Sequence, residues 1–398
     1  MEVIVHRGTH QIGGCVTEIK SNSGTRIAID IGENLPSMNI PRNTYLKIDG
    51  LTHGSKDFEA VFVTHYHGDH VGLYDKILDG IPIYIGEVSK EIYKKVQSRL
   101  VKAKIVPHNN LNLIENFRTY KIPQKIKIKD ILITPIEVDH SAFNSHMLLI
   151  ECDGKKLLHT GDFRGHGQRG KSLIPAIEKY VGKVDCLICE GTTLSRDEEP
   201  LLTEFELQNR AEKIFKENKY SFVFCSSTNI DRIAAIHKAA IKCRKFICDD
   251  YQKDILMYID SISRSSLYKF KGKVLSYDNN ILELMKKDGF VMLVRDNYLS
   301  KIVIPKFPNS AFIYSQWDGY LNKDYTQYKG LQDFVPENHI KLHTSGHADY
   351  DTIKNVCEIV NPHLIIPIHT QYPDGFKSMS LNKCTIKLAN DGETIKID

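Results

Sequence analysis

Apolar positions in the first 190 residues come in short runs broken by turn residues, which is the pattern of strands. Residues 15–19 and 25–31 flank Ser21-Asn22-Ser23-Gly24, a hairpin turn, and the second run ends in Asp30. Residues 60–64 form another run and deliver the stretch His65-Tyr66-His67-Gly68-Asp69-His70. Residues 82–85 predict a further strand. Val88, Ile92, Val96 and Leu100 then recur at helical spacing across 87–102. Residues 126–138 are strand-rich and end at Asp139-His140-Ser141. Asp153-Gly154, between the runs 147–152 and 156–159, is a strong hairpin signal. That hairpin delivers Gly161-Asp162, and the run 184–189 delivers Glu190.

A different rhythm begins near residue 200. The pattern predicts a helix over 204–217 and a strand over 221–225. Thr228, three residues before Asp231, is expected to open the next helix by capping. Ile230, Ile233, Ala234, His237 and Ile241 lie on one face of that helix, and residues 245–248 form the next strand. This strand–helix–strand order points to a parallel α/β subdomain. The stretch 251–287 reads as irregular helix, and 290–294 and 311–314 as strands. The first rhythm returns near residue 340. Thr344-Ser345-Gly346-His347 precedes a helix with Ile353, Val356, Cys357 and Val360 on its apolar face, and the strand 364–368 ends in His369. The chain therefore reads as one domain interrupted by another.

Composition narrows the class only slightly. The 398 residues are 41% hydrophobic and 26% charged, an ordinary globular balance, and the net charge of +4 permits a polyanionic partner without requiring one. Nine cysteines in no framework spacing, and no signal peptide at the start, predict a reducing cytoplasm. Cys186 and Cys189 form a CxxC, but alternating burial within a strand explains it better than zinc or redox chemistry. No apolar run reaches the roughly 18 residues of a membrane helix, so no membrane partner is expected.

The chemistry lies at the ends of the runs. A two-metal hydrolytic site needs two cations about 3.5–4 Å apart, bridged by a hydroxide and a carboxylate. Imidazole and carboxylate ligands suit zinc or manganese. His65 and His67 alternate along an extended segment and can share one side. Asp69 and His70 follow at the turn, while His140, Asp162 and His369 each stand directly after an apolar run. Ligands at the same end of several strands can converge from distant parts of the sequence.

These residues carry a resemblance. The spacing HxHxDH at 65–70 resembles the signature of the metallo-β-lactamase fold, and Asp30, His140 and Asp162 resemble that family's other ligand motifs. Glu190 in CEGTT, His347 in TSGHA and His369 in PIH resemble the extra motifs of its β-CASP branch, which includes RNase J, the pre-mRNA cleavage nuclease and Artemis. The stretch SSTNIDRIAAIHKAA is similar to the first helix of a β-CASP domain. The resemblance implies an α/β fold, an αββα metallo-β-lactamase sandwich over 1–198 and 339–398, interrupted by an inserted α/β β-CASP domain over 199–338. A cleft between the two is implied as well.

Carried over residue by residue, the resemblance gives one metal to His65, His67 and His140 and the other to Asp69, His70 and His369, with Asp162 bridging. Asp30 and Glu190 would orient ligand imidazoles. Ser345, Gly346 and His347 would grip a phosphate. Placement of SGHA at a helix start would favour that anion. Asp69, Asp162 and His347 would take part in catalysis, His347 as proton donor to the leaving oxygen. Arg164, His166 and Arg232 are candidate substrate contacts, with an internal carboxylate as the equal alternative partner for Arg232. Trp317 is expected to pack rather than to stack on a base. The implied function is RNase J-like: a two-metal-activated hydroxide cleaving RNA, single-stranded at the site, as an endonuclease or a 5′-to-3′ exonuclease. Zinc is the expected metal, with manganese the alternative, and a homodimer is compatible with the family. Three other readings stand beside it: a single-strand DNA nuclease of the same branch, a small-molecule ester or lactone hydrolase, and a non-enzymatic nucleic-acid-binding scaffold.

Overall fold

A computed structural model describes residues 1–35, 46–195, 201–324, 328–381 and 384–397. The chain divides into two compact units. The first comprises Met1–Gly165, Arg169–Glu199 and Gly346–Asp398; the second comprises His166–Gln168 and Pro200–Ser345. The return to the first unit thus falls at Gly346, seven residues beyond the expected 339.

The first unit holds two sheets. One contains β1 (Glu2–Arg7), β2 (Val16–Lys20), β3 (Arg26–Ile29), β4 (Ala60–Phe62), β5 (Ile83–Gly86), β6 (Arg118–Tyr120) and, from the far end of the chain, β20 (Thr394–Lys396). The other contains β7 (Ile126–Ile128), β8 (Ile131–Val138), β9 (Ser145–Cys152), β10 (Lys155–His159), β11 (Cys186–Glu190), β18 (Leu364–Ile368) and β19 (Thr385–Ile386). Their strand orders are β20-β1-β2-β3-β4-β5-β6 and β19-β18-β11-β10-β9-β8-β7. Strand β9 shows why they stack. Its Leu148, Ile150 and Cys152 enter the apolar layer between the sheets, alongside Val3, Ile27 and Phe62. Its alternate residues Met147 and Leu149 face a second core on the opposite side. This is the two-residue period of a strand buried on both faces.

Helices cover the outer faces. The short α1 (Gly68–Val71) follows β4, and α2 (Glu87–Lys102) lies against β5 and β6, with α3 (Asn109–Glu115) beside it. On the other side, α4 (Leu173–Tyr180) contributes Leu173 and Ile177 to the second core. The result is a four-layer αββα sandwich, as the family resemblance implies. The β9–β10 turn bears out its sequence signal: Asp153 and Gly154 both adopt positive φ, 54° and 71°, which a tight two-residue hairpin requires.

The second unit is a six-stranded, all-parallel sheet. It contains β12 (Tyr220–Phe224), β13 (Lys245–Cys248), β14 (Val274–Ser276), β15 (Phe290–Val294), β16 (Ala311–Tyr314) and β17 (Ile340–Lys341), in the order β14-β13-β15-β12-β16-β17. Its helices are α5 (Glu204–Glu217), α6 (Ile230–Ala240), α7 (Asp250–Ile262), α8 (Leu282–Asp288), α9 (Tyr298–Val303) and α10 (Lys329–Phe334). After it, α11 (Tyr350–Val360) rejoins the first unit and sends Ile353, Val356 and Val360 into the second core.

Local expectations need correction at several points. Helix α6 is capped by Asn229, whose side chain accepts from Arg232 N, and not by Thr228. Strand β14 interrupts the stretch expected to be irregular helix; three residues are too short a run to register as a period. Cys186 and Cys189 are buried, but so is every residue of β11, because this parallel strand is covered on both faces. Trp317 remains 39% exposed and meets Tyr320 edge-on. Among the described residues, no helix is long and apolar enough to cross a membrane.

Candidate metal centre

Strand polarity explains why the motifs meet. Strands β3 and β4 are parallel neighbours, and so are β10, β11 and β18. Strand β8 reaches β10 through two antiparallel pairings, so it runs in the same direction as β10. The residues just past the C-terminal ends of these strands therefore gather at one edge of the sandwich. Asp30 follows β3, the His65–His70 loop follows β4, His140 follows β8, Asp162 follows β10, Glu190 ends β11 and His369 follows β18. Asp30 and His369 adopt positive φ, 61° and 51°, a sparsely populated conformation for residues other than glycine. Both chain segments turn sharply at that point.

Asp162 Oδ2 sits at the centre of the cluster. It lies 3.2 Å from His70 Nε2, 3.7 Å from His140 Nε2, 3.7 Å from His369 Nε2 and 3.8 Å from His65 Nε2. On one side, His67 Nδ1 lies 3.1 Å from His65 Nε2 and 3.3 Å from His140 Nε2. On the other, Asp69 Oδ2 lies 3.3 Å from His369 Nε2 and 3.9 Å from His70 Nε2. The trios His65/His67/His140, Asp69/His70/His369 and His65/His70/Asp162 each offer ligand atoms within 4.8 Å of one another.

The residues fit divalent cations on their own chemistry. Asp162 Oδ1 is buried with no hydrogen-bond partner among the described residues, and a buried carboxylate oxygen left so is costly. Imidazole nitrogens facing one another at little over 3 Å repel unless a proton or a cation lies between them. The nitrogen-and-oxygen donor set suits zinc or manganese.

The supporting groups fix which ring nitrogen faces the cluster. Asp30 Oδ2 is 2.7 Å from His70 Nδ1, and its carboxylate also accepts from Thr64 N and Thr64 Oγ1. The Gly346 carbonyl accepts from His140 Nδ1 at 2.6 Å. Glu190 works differently from the sequence expectation. It meets His347 Nδ1 directly, at 3.0 Å, and reaches the ligand candidate His369 only through the Thr192 hydroxyl. Thr192 is the residue that sequence reasoning missed; a threonine two residues past a strand end carries no signal of its own.

Protonation follows these surroundings. Burial lowers the pKa of His65, with the neighbouring imidazoles adding to the effect, and lowers that of His140; burial also brings His67 to about 4. For His70 and His369 burial acts in the same direction, but Asp162 and the other nearby carboxylates outweigh it and raise both. Asp162 and Asp69 resist the upward push of burial because adjacent imidazoles hold their carboxyls well below the usual range.

Two sequence expectations are overturned here, and the open alternative for Arg232 is decided in favour of an internal carboxylate. Helix α11 begins at Tyr350, not at SGHA, and the Asp349 side chain already accepts from Thr352 N. Ser345, Gly346 and His347 therefore lie outside the first helical turn, and a carboxylate occupies the anion position at that turn. Arg164 is fully buried, with Nε 2.8 Å from Asp139 Oδ1. Arg232 is also fully buried, bound to Glu204, Ser315 and the Thr344 carbonyl. Neither arginine is exposed for substrate contact. His166 is 8% exposed, with Nε2 held 2.8 Å from the Ser345 carbonyl oxygen.

Residues 25–219 match the model of the beta-lactamase superfamily domain, and residues 337–374 match the Zn-dependent metallo-hydrolase RNA specificity domain. The chain belongs to the metallo-β-lactamase superfamily. Within that class it falls in the β-CASP, ribonuclease J-like branch. It is 24% identical to ribonuclease J of Mycoplasma pneumoniae, over 79% of this chain and 58% of that protein. It is 23% identical to ribonuclease J of Helicobacter pylori strain 26695, over 98% of this chain and 60% of that protein. The chain thus spans about 60% of the length of these relatives. A crystal structure of a protein of unknown function from Enterococcus faecalis V583 shares the fold, with a TM-score of 0.79, 21% identity and 99% coverage of both chains.

Proposed function

We propose that the chain is a metal-dependent ribonuclease that hydrolyses phosphodiester bonds of single-stranded RNA in the cytoplasm. The observation that carries this reading is the single carboxylate oxygen of Asp162, faced by four imidazoles from three separate strand ends at 3.2–3.8 Å. His65, His67 and His140 would hold one zinc ion, and Asp69, His70 and His369 a second, with Asp162 shared. Bound there, the cations would supply Lewis-acid charge and lower the pKa of a water at neutral pH. The protein's own groups do the remainder. Asp30 holds the His70 ring directly, and Glu190 holds the His369 ring through the Thr192 hydroxyl. His347, anchored to Glu190 through Nδ1, turns its other ring nitrogen away from that carboxylate, where it serves as proton donor to the leaving oxygen. Ser345 and Gly346 complete a phosphate grip alongside it. The first unit is the metallo-β-lactamase domain in this reading, and the second is its β-CASP insert.

Support comes from the ribonuclease J relatives and from the RNA-specificity family matched at residues 337–374. The test is digestion of end-labelled RNA carrying 5′-triphosphate, monophosphate or hydroxyl ends, with matched single-stranded DNA and a simple ester as competitors for the activity. The expected result is metal-dependent cleavage of RNA that is lost in His67→Ala. Equal cutting by that variant, or hydrolysis of the ester with RNA untouched, contradicts the proposal. The ladder of products separates internal cuts from 5′-end degradation.

A further inference from the structure

Two large aromatic side chains stand exposed among the described residues of the first unit, Tyr180 and Tyr372. Tyr180 has an occupant: the Lys179 ammonium lies 4.9 Å from its ring centroid. Tyr372 is 50% exposed, and among the described residues its hydroxyl makes no hydrogen bond and its ring meets neither another ring nor a cation. It is nonetheless held. Its backbone N–H donates to the buried Thr370 hydroxyl at 3.0 Å, and its carbonyl accepts from Gly375 N at 3.1 Å. One side of the ring rests on Gly375, where an added Cβ would come within 3.0 Å of Cδ1 and 3.3 Å of Cε1. Leu194 packs at the same place, with Cβ at 3.1 Å from that position. Leu194 lies on the loop that leaves Glu190, and Tyr372 lies three residues past His369, so its Cα is within about 11 Å of that ligand's.

A ring supported from behind by glycine, without a partner of its own and held between two of the segments that build the cluster, is suited to stacking. Unpaired nucleobases stack on such rings whatever their identity. We propose that Tyr372 is the stacking platform for an unpaired nucleobase of RNA whose backbone lies at the strand-tip cluster. This inference rests on the ribonuclease reading for its ligand and adds to it a contact outside the metal ligands.

The test uses zinc-loaded protein in a His67→Ala background and single-stranded oligoribonucleotides carrying 2-aminopurine at successive positions. Stacking predicts quenched fluorescence at one position. Tyr372→Ala is expected to abolish that quench and raise Kd at least about fivefold, while Tyr372→Phe keeps both. Gly375→Ala, which tilts the ring, is expected to act in the same direction as Tyr372→Ala. Removing the base at the quenched position should weaken binding to the tyrosine form and leave the alanine form unchanged. Unaltered Kd and quench in Tyr372→Ala overturn the proposal, as does a loss in Tyr372→Phe equal to that in alanine, or no RNA binding at all. Cleavage by the parent protein reads the ribonuclease function separately. Cutting with an indifferent Tyr372→Ala sinks the platform alone, and position-specific quenching without cutting sinks the nuclease alone.

Discussion

His65, His67 and His140 point ring nitrogens at one another and lean on uncharged groups, the Thr64 hydroxyl and the Gly346 carbonyl. His70 and His369 lean on carboxylates, Asp30 directly and Glu190 through Thr192. Burial makes the first trio poor proton acceptors, while surrounding carboxylates make the second pair good ones. The same residue type thus builds a neutral cradle on one side of Asp162 and a charge-compensated one on the other. Burial alone does not mark a functional histidine, as His237 in the second unit shows. It is just as buried and sits edge-on to Phe246 and Phe270, with neither ring nitrogen hydrogen-bonded among the described residues.

The comparison breaks most completely at the residue common to both halves. Asp162→Asn is expected to cut RNA hydrolysis by about 10³-fold or more, since it removes charge from the oxygen both trios share. Steady-state cleavage rates with bound metal measured in parallel check this. On the cradle side, Arg164→Met leaves the buried Asp139 carboxylate without its guanidinium, next to His140. A loss of about 3–5 kcal/mol in unfolding free energy is expected, read by urea denaturation. On the other side, Asp30→Asn keeps the fold but loosens His70. Metal affinity should drop about 10–100-fold at one site only, so a zinc titration should become biphasic.

The smallest effect belongs to the contrasting histidine. Burial first, and then nearby lysines, push His237 down to about 4 from its usual value near 6.5. The folded state therefore binds fewer protons than the unfolded one. The full stability contribution is present above about pH 6.5 and falls away as pH drops toward 4. His237→Phe should remove roughly 1 kcal/mol of the acid-side loss at pH 5.5, seen by repeating the denaturation at pH 5.5 and 7.5. It should leave metal content unchanged, whereas the cluster substitutions alter it.

Much of this was legible in the sequence because it is locally encoded. Each candidate ligand stands just after an apolar run, so period-two patterning fixes where its side chain emerges. The Asp153-Gly154 hairpin and the helix over 87–102 are local in the same sense. What was not legible depends on pairing across distance. Arg164 looks like a free cation in the chain, and Arg232 fits a phosphate or an internal carboxylate equally; only their buried partners Asp139 and Glu204, 25 and 28 residues away, disqualify them as substrate contacts. The Glu190–Thr192–His369 link spans 177 residues from Thr192 to His369. Helix α11 starts later than expected because Asp349 is the better cap, and a sequence offering both Ser345 and Asp349 does not rank them.

The shared role of Asp162 is tested most directly by counting the metal that the protein holds. Native mass spectrometry of zinc-saturated protein should find two ions per chain, and one in Asp30→Asn at limiting zinc. A parent protein that holds none, or only one at saturation, contradicts a cluster built around a carboxylate bridging two cations.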